Sequence, residues 1–342
     1  MMVSSATFYT MLKYGFGVTI TIPVVLAGAL WWFQRRLIYP ADFPEGSRTM
    51  VPKPTDAAMP YEDVTLTTPD GLKIRAYVIP ARERIVALHE LRGLDSAKLK
   101  QRGMEEAAAW DAVKDTSEAV EYARSRPTVV MFHANAGNVG HRIPLARKFV
   151  SELHCNVFML SYRGYGHSEG FPSEAGIKVD AATAMEYIST HPILSKTKLV
   201  LYGQSIGGAV VLDTAAAFPD MVSGAIIENT FVSLESLVPS VMPMLPPLLV
   251  RLLLSERWDA ATAIPKIRKD TPILFLSGRR DELVPQAQML ALRELRRRTG
   301  GKCRWREFPE GTHNDTYVAP SYWEEIGAWL REEVEGEKAE KV

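Results

Sequence analysis

A glycine-rich pentapeptide separates an apolar run from a run of small residues in the middle of the chain. The pentapeptide is Gly203-Gln204-Ser205-Ile206-Gly207; KLVLY precedes it at 198–202 and GAVVL follows at 208–212. Between a strand and a helix, G-x-S-x-G predicts a sharp turn that lifts the serine hydroxyl above the sheet, because glycines leave room where the two backbones meet. Ser205 is therefore the first catalytic candidate. The alternative is a glycine-rich turn whose serine has no role.

Short apolar runs follow one another along the chain, with helix-prone stretches between them. Such runs are typical of parallel strands buried on both faces. Ahead of them, residues 64–68 and 72–79 alternate apolar and polar residues around Pro69-Asp70-Gly71, which predicts an antiparallel hairpin. A hairpin leading into alternating strands and helices predicts an α/β-hydrolase fold, with a mostly parallel central sheet and flanking helices. The runs are residues 128–132, 156–160, 199–202, 224–227 and 273–276.

One catalytic domain, residues 61–332, makes up most of the chain in this interpretation. A charged insert at 81–126 predicts either a solvated helical elaboration or a contact with a partner or a membrane surface. A short cap at about 229–265 contains the Met- and Leu-rich segment 238–254. That segment predicts either a pocket for an acyl chain or an ordinary packed helix. A charged tail follows at 333–342.

A serine nucleophile needs a base within hydrogen-bond reach, and the base needs an acid that orients it. In this fold the chain order is serine, acid, histidine. Asp281 follows the apolar run at 273–276 and is the predicted acid, with Glu282 and Glu228 as competing carboxylates. Of the seven histidines only His313 follows Asp281, so chain order selects it as the general base.

The predicted oxyanion hole uses two backbone N–H groups. Ile206, directly after the nucleophile, supplies the first. The second comes from Asn135 or Ala136, in the loop that follows the run at 128–132. His133 begins that loop and is interpreted as a residue that orders it rather than as a base.

The amino-terminal region contains one long apolar stretch. Residues 14–33 carry no charge and are long enough to cross the ~30 Å hydrocarbon core of a bilayer as a helix. We predict a transmembrane anchor at 1–36, with Trp31 and Trp32 at the interface, and a Pro-rich linker at 37–60. A cleaved signal peptide is the alternative, but the stretch is longer than a usual signal-peptide core and lacks a small-residue cleavage site.

The charges around this stretch predict its orientation. Cationic residues after it outnumber those before it, which favours a cytosolic catalytic domain. A sequon at 314–316 adjoins His313, where a glycan would obstruct the site. We therefore predict a single-pass protein of the endoplasmic reticulum or plasma membrane, with a lumenal domain as the alternative topology. The cationic residues are Arg35, Arg36, Arg48 and Lys53 on one side, and Lys13 on the other.

Composition narrows the classes of ligand. Lys plus Arg equals Asp plus Glu at 40 each, so the net charge does not indicate a nucleic-acid partner. A small molecule, a lipid or a lipidated protein is the predicted substrate. Cys155 and Cys303 lie far apart, and neither has the spacing of a metal or redox site. The sequence contains no metal-binding cluster and no dinucleotide-binding glycine loop, so no cofactor and no metal are predicted.

Five segments together carry a resemblance to a known family. They are HANAGNVGHRIPLA, LSYRGYGHSEGFPSEAGI, LYGQSIGGAV, SGRRDELVP and EGTHNDT. From Tyr61 to Leu330, except in the insert, the chain resembles the bud-emergence (Bem) family of membrane-anchored α/β hydrolases, which is similar to the α/β-hydrolase-domain (ABHD) proteins. The resemblance implies an anchored serine hydrolase. One departure is Ala134, where related sequences usually have glycine; its Cβ is expected to narrow the oxyanion loop.

The predicted function is hydrolysis of an ester or thioester at a membrane surface. Asp281 orients His313, His313 deprotonates Ser205, and an acyl-enzyme intermediate forms. One alternative is a prolyl-peptidase-like serine peptidase, a grouping that the resemblance also implies; it would need a pocket for a peptide. Another is a non-catalytic, membrane-tethered scaffold in cell polarity, but such a scaffold has no physical need for all three groups.

Overall fold

An eight-stranded sheet forms the centre of the molecule. The computed structural model describes residues 21, 24–83, 88–91 and 93–336. The strand order across the sheet is β1-β2-β4-β3-β5-β6-β7-β8. The strands are β1 (Glu62–Thr67), β2 (Lys73–Ile79), β3 (Thr128–Phe132), β4 (Asn156–Ser161), β5 (Leu199–Gln204), β6 (Val222–Glu228), β7 (Ile273–Gly278) and β8 (Cys303–Phe308).

The strand directions confirm the predicted mostly parallel sheet. β1 pairs antiparallel with β2, and β2 pairs antiparallel with β4. The other pairs, from β4–β3 to β7–β8, are parallel. β3, β4, β5 and β7 are buried at every position. Helices cover both faces of these strands, so their sequences are continuous apolar runs rather than alternating ones.

Helices pack on both faces of the sheet. One core joins the sheet to α6, α7, α10 and α11, and a second joins it to α5 and α12. A π-helical turn, Leu330–Glu335, continues α12. The helices are α1 (residues 24–38), α2 (Leu88–Leu91), α3 (Ser96–Asp111), α4 (Ser117–Ser125), α5 (Ile143–Ser151), α6 (Glu174–Thr190), α7 (Ile206–Ala217), α8 (Leu234–Val241), α9 (Pro247–Leu253), α10 (Ala260–Ala263), α11 (Gln286–Arg298) and α12 (Tyr322–Trp329).

The segment predicted as a linker, 37–60, lies against the domain instead of spanning free solvent. The Gly137 N–H donates to the Phe43 carbonyl at 2.8 Å. The Asn138 side chain donates to the carbonyls of Ser47, at 2.9 Å, and Met50, at 3.0 Å. Pro-rich composition removes regular backbone hydrogen bonds, but it does not prevent packing through side chains and turns. The segment therefore forms part of the wall around the loop after β3.

The insert and the tail are both largely helical where they are described. α3 and α4 belong to the insert, and α3 touches the segment 37–60 so closely that a Cβ on Gly103 would lie 1.8 Å from the Thr55 carbonyl oxygen. At the other end, Val334 is buried inside the turn that continues α12. The domain boundary predicted at 332 thus falls within a helical turn. Residues 337–342 of the predicted tail lie outside the described residues.

The predicted membrane span is described only in part. Residues 1–20, 22 and 23 lie outside the described residues, and 24–38 are helical. Within the part of the chain that is described, no helix has both the length and the apolar character that crossing a bilayer requires. The span at 14–33 therefore stays a prediction.

Candidate active site

Ser205 lies in a sharp turn between β5 and α7. Its backbone has φ 55° and ψ −125°, a conformation that is costly for a residue with a side chain. Its N–H donates to the Glu228 carbonyl at 2.9 Å, and its carbonyl accepts from the Thr230 hydroxyl at 2.7 Å. These bonds to the end of β6 hold the turn in its strained conformation.

Two glycines of the pentapeptide make this turn sterically possible. A Cβ on Gly203 would lie 2.3 Å from the backbone of Gly207, where the strand and the helix meet. A Cβ on Gly207 would lie 2.2 Å from the Phe132 carbonyl oxygen and 3.0 Å from that of His133. The first turn of α7 therefore packs directly on the end of β3, and only glycine fits at this contact.

His313 and Asp281 form a side-chain hydrogen bond at the adjoining edge of the sheet. The His313 Nδ1 atom lies 2.8 Å from Asp281 Oδ2, and both side chains are almost completely buried. The other oxygen of Asp281 accepts the N–H groups of Leu283, at 2.9 Å, and Val284, at 2.7 Å. A carboxylate held by two backbone donors presents a fixed oxygen to the imidazole and orients its ring.

The two competing carboxylates have other partners. The Glu282 carboxylate accepts the backbone N–H of His313 at 3.3 Å and does not contact the ring nitrogen that Asp281 holds. The Glu228 carboxylate is fully buried and accepts the hydroxyls of Tyr202, at 2.8 Å, and Tyr322. Burial raises the pKa of Glu228. Neither carboxylate contacts the His313 ring as Asp281 does.

Asn229, which no sequence pattern predicted as a site residue, connects the two loops that carry His313 and Asp281. Its Nδ2 donates to the Thr312 carbonyl and to the Thr316 hydroxyl, both at 3.0 Å. Its Oδ1 accepts the Gly278 N–H at 2.8 Å. The φ of Asn229 is 45°, a left-handed conformation that asparagine tolerates better than most residues. A polar residue directly after a buried strand was the available signal.

Gln204 links the serine turn to the histidine loop. Its Nε2 donates to the His313 carbonyl at 2.6 Å, so the residue before Ser205 fixes the residue that carries the imidazole. Ser205 is 7% exposed and His313 is 4% exposed. Within the described chain, the Ser205 hydroxyl makes no hydrogen bond. The hydrogen bond between a serine nucleophile and its base is often long in enzymes without substrate and shortens once the substrate binds.

The backbone donors proposed for an oxyanion hole lie on either side of the contact between α7 and β3. No described residue accepts a hydrogen bond from the N–H groups of Ile206, Asn135 or Ala136. Ile206 begins α7, where the first N–H groups have no partner within the helix. Free N–H groups here can bind a negatively charged oxygen.

His133 is buried at the start of the oxyanion loop. Its Nδ1 lies 2.8 Å from the Ala134 carbonyl, and its Nε2 accepts the Tyr162 N–H at 3.4 Å, so these partners are satisfied by a neutral ring protonated at Nδ1. Burial lowers the pKa of His133 to about 3. The φ of Ala134 is not positive, so alanine fits its backbone conformation without strain.

Residues that could hold a metal ion do not cluster in the described part of the chain. No group of three or more His, Cys, Asp or Glu side chains there is arranged as a metal site. The arrangement instead joins a strained serine, an imidazole–carboxylate pair and free backbone donors. This combination fits acyl transfer through a serine nucleophile.

Comparison with known proteins gives consistent findings. A family model described as alpha/beta hydrolase fold matches residues 127–255. Protein bem46 of Schizosaccharomyces pombe is 40% identical over 328 residues, covering 96% of each chain. An uncharacterized membrane protein of Saccharomyces cerevisiae is 35% identical over 94% of this chain and 96% of its own. The alpha/beta hydrolase domain-containing protein WAV2 of Arabidopsis thaliana is 32% identical over 93% of this chain and 92% of its own.

A solved structure supports the same fold at much lower identity. An esterase from Pyrococcus furiosus aligns with a TM-score of 0.60 at 15% sequence identity, covering 82% of this chain and 93% of the esterase. At that identity the likeness shows the architecture and not the substrate.

Proposed function

Because the chain belongs to the family of α/β hydrolases that includes bem46, we propose that it is a membrane-anchored serine hydrolase that cleaves esters or thioesters. The observation that carries the serine mechanism is the link from the strained Ser205 turn, through Gln204, to the loop in which His313 pairs with Asp281. A turn under strain at this position is what a serine nucleophile requires.

In the proposed mechanism, His313 Nε2 takes the proton of the Ser205 hydroxyl as its oxygen attacks the acyl carbon. Asp281 holds the Nδ1 proton of the ring and stabilises the imidazolium that forms. The oxyanion accepts hydrogen bonds from the Ile206 N–H and from that of Asn135 or Ala136. The protonated histidine then passes its proton to the leaving alcohol or thiol. Water attacks the acyl-enzyme with His313 again as base and releases the acid.

A lipid or a lipidated protein is the proposed substrate class. The sequence contains the uncharged stretch 14–33, and the part of it that lies in α1, residues 24–33, keeps large apolar side chains exposed. The relative from Saccharomyces cerevisiae is named as a membrane protein. A hydrolase tethered to a bilayer meets acyl groups at a high local concentration. These observations support the anchor and, through it, the choice of substrate.

A fluorophosphonate probe tests the serine mechanism, because it reacts with an activated serine whatever the natural substrate. We expect membranes that carry the wild-type chain to be labelled and Ser205→Ala to be unlabelled. Ser189→Ala, at an exposed position on α6, is the matched control and should label as the wild type does. Labelling that persists in Ser205→Ala would contradict the assignment of the nucleophile.

The scaffold alternative makes the opposite prediction in cells. Ser205→Ala should fail to rescue the phenotype of a deletion strain if hydrolysis is the function. Full rescue by a folded, unlabelled Ser205→Ala chain would remove the enzymatic account of that phenotype.

A further inference from the structure

The cap exposes large apolar side chains within one short stretch of sequence, 241–252. Met244 is 91% exposed, Leu252 is 71% exposed and Leu248 is 68% exposed. Val241 and Met242 are also exposed. We name these five side chains the cap surface. In the whole segment 238–254 the only charged residue is Arg251. Apolar side chains grouped in this way are typical of interaction sites.

The helix α1 lies directly beside the cap and exposes apolar side chains of its own. The Gln34 Nε2 donates to the Leu253 carbonyl at 3.1 Å, and its Oε1 accepts the Ser255 N–H at 2.8 Å. A cavity of about 90 Å³ between the two elements is lined by apolar residues and Gln34. The exposed apolar residues of α1 are Val24, Val25, Leu26, Trp31, Trp32, Phe33 and Leu37. The cap and α1 therefore present adjoining apolar faces.

The charges around these faces are positive. Arg36 and Arg251 are exposed, and Arg35 keeps more than half of its side chain exposed while its Nε contacts Glu256 at 2.9 Å. Two other nearby carboxylates are paired as well, Glu235 with Arg257 and Glu174 with Lys178. Apolar residues bordered by cations match an interface of acyl chains and anionic headgroups. A second copy of the chain would bring these like charges together, which disfavours a dimer at this surface.

The site lies next to the end of α1. The Ile38 carbonyl, at the last residue of α1, accepts a hydrogen bond from Asn135 Nδ2 at 3.4 Å, and Asn135 belongs to the proposed oxyanion loop. α8 follows β6, whose end holds Ser205 through the Glu228 carbonyl. The end of α1 therefore contacts the proposed oxyanion loop, and the cap follows the strand whose end holds Ser205.

From these observations we infer that the cap surface docks into the interface of the same bilayer that holds the anchor. The inference rests on the proposed anchor, because α1 contains residues 24–33 of the uncharged stretch and would hold the cap at the depth of the interfacial tryptophans. Docking places the site at the lipid boundary, so acyl substrates enter from the membrane rather than from solution.

Fluorescence quenching by lipid tests this docking in the full-length chain. A single cysteine that carries an environment-sensitive nitrobenzoxadiazole label is introduced by Met244→Cys in a Cys303→Ser background, since Cys155 is buried. The chain is reconstituted into phosphatidylcholine–phosphatidylserine vesicles with and without brominated acyl chains. Leu26→Cys reports on the anchor, and Met104→Cys, an exposed position on α3, is the matched control.

We expect brominated lipid to quench labels at 26 and 244 and to leave the label at 104 bright. Quenching at 26 without quenching at 244 would overturn the docking and leave the anchor intact. Quenching at neither position would overturn both. Equal quenching at all three positions would overturn a docking specific to the cap. Emission at 244 that is blue-shifted, unquenched and dependent on the protein-to-lipid ratio would assign the surface to a second copy of the chain, against the inference.

Discussion

At the scale of residues, the contact between His313 and Asp281 is the most constrained part of the site. Two backbone N–H groups hold one oxygen of Asp281, and the other oxygen faces the ring. The position of His313 is fixed in turn through its backbone, by Gln204 and by the Glu282 carboxylate. The loop is thus held from both sides before any substrate binds.

Asp281→Asn tests the role of this carboxylate. We expect the rate of fluorophosphonate labelling to fall by roughly 10³–10⁴-fold, because the neutral amide no longer stabilises the imidazolium and favours the wrong tautomer. Thermal unfolding checks that the variant folds. Glu282→Gln is the comparison, because the Glu282 side chain reaches His313 through the backbone N–H and not through the ring. Its labelling rate should fall far less. Equal losses in the two variants would contradict the assignment of the acid.

His133 makes stability depend on pH. Burial lowers its folded-state pKa from 6.5 to about 3, so between these values the unfolded chain binds a proton that the folded chain does not. The contribution of the neutral, buried His133 ring to the free energy of unfolding is complete above pH 6.5. It is lost as the pH falls towards 3, by at most about 1.4 kcal/mol per pH unit. His133→Gln should show a shallower loss between pH 7 and pH 5 in denaturant titrations. A slope as steep as that of the wild type would contradict the prediction.

At the scale of elements, the first turn of α7 depends on its contact with the end of β3. The position that a Cβ on Gly207 would occupy lies against carbonyl oxygens of the backbone, which cannot move aside as a flexible side chain does. The contact also sets how far the Ile206 N–H lies from the loop that supplies the other proposed oxyanion donor.

Gly207→Ala should therefore separate α7 from β3. We expect a loss of about 1–3 kcal/mol or more in the free energy of unfolding and a marked slowing of fluorophosphonate labelling. Gly28→Ala is the matched control, because its Cβ would meet nothing within 4 Å. Denaturant titrations and labelling rates measure the two effects. An unchanged labelling rate in Gly207→Ala would show that this contact does not control the site.

The contacts of the segment 37–60 with the domain could not be predicted from its sequence. The segment was predicted as a linker, and Phe43 and Ser47 in fact accept hydrogen bonds from the loop after β3. Turns and prolines give no periodic pattern, so no local sequence signal predicts which loop the segment will contact. The segment 37–60 therefore also supports the proposed oxyanion loop.

At the scale of the whole molecule, the parallel strands bring the site residues together. β5, β6, β7 and β8 are neighbours in the sheet, and their carboxyl ends share one edge. Ser205, Asn229, Asp281 and His313 each follow one of these strands. In such sheets this edge is where ligands bind.

The side of the membrane on which the catalytic domain lies is a further prediction for the whole molecule. A cytosolic domain should leave the exposed Asn314 without a glycan, although it lies in a sequon. The wild type and Asn314→Gln should then migrate identically in gels, before and after endoglycosidase treatment. A wild-type band that shifts on treatment, with no shift in Asn314→Gln, would place the domain in the lumen.

The sequence by itself determined the strands, the serine turn and the general fold. Apolar runs and alternation depend on neighbouring residues, so β3 to β7 and the hairpin of β1 and β2 were predicted close to their observed bounds. The serine turn was predictable for the same reason, since its glycines act within five residues. Family membership followed from segments that also lie within short stretches of sequence.

Only the tertiary structure decided which side chains meet. Three carboxylates fitted the sequence pattern for the acid, and only Asp281 contacts the His313 ring, across 32 residues of chain. Gln204 reaches the His313 carbonyl across 109 residues, and Asn229 joins two loops that no local pattern connects. Such contacts depend on the register and order of the strands, because these set where each loop leaves the sheet.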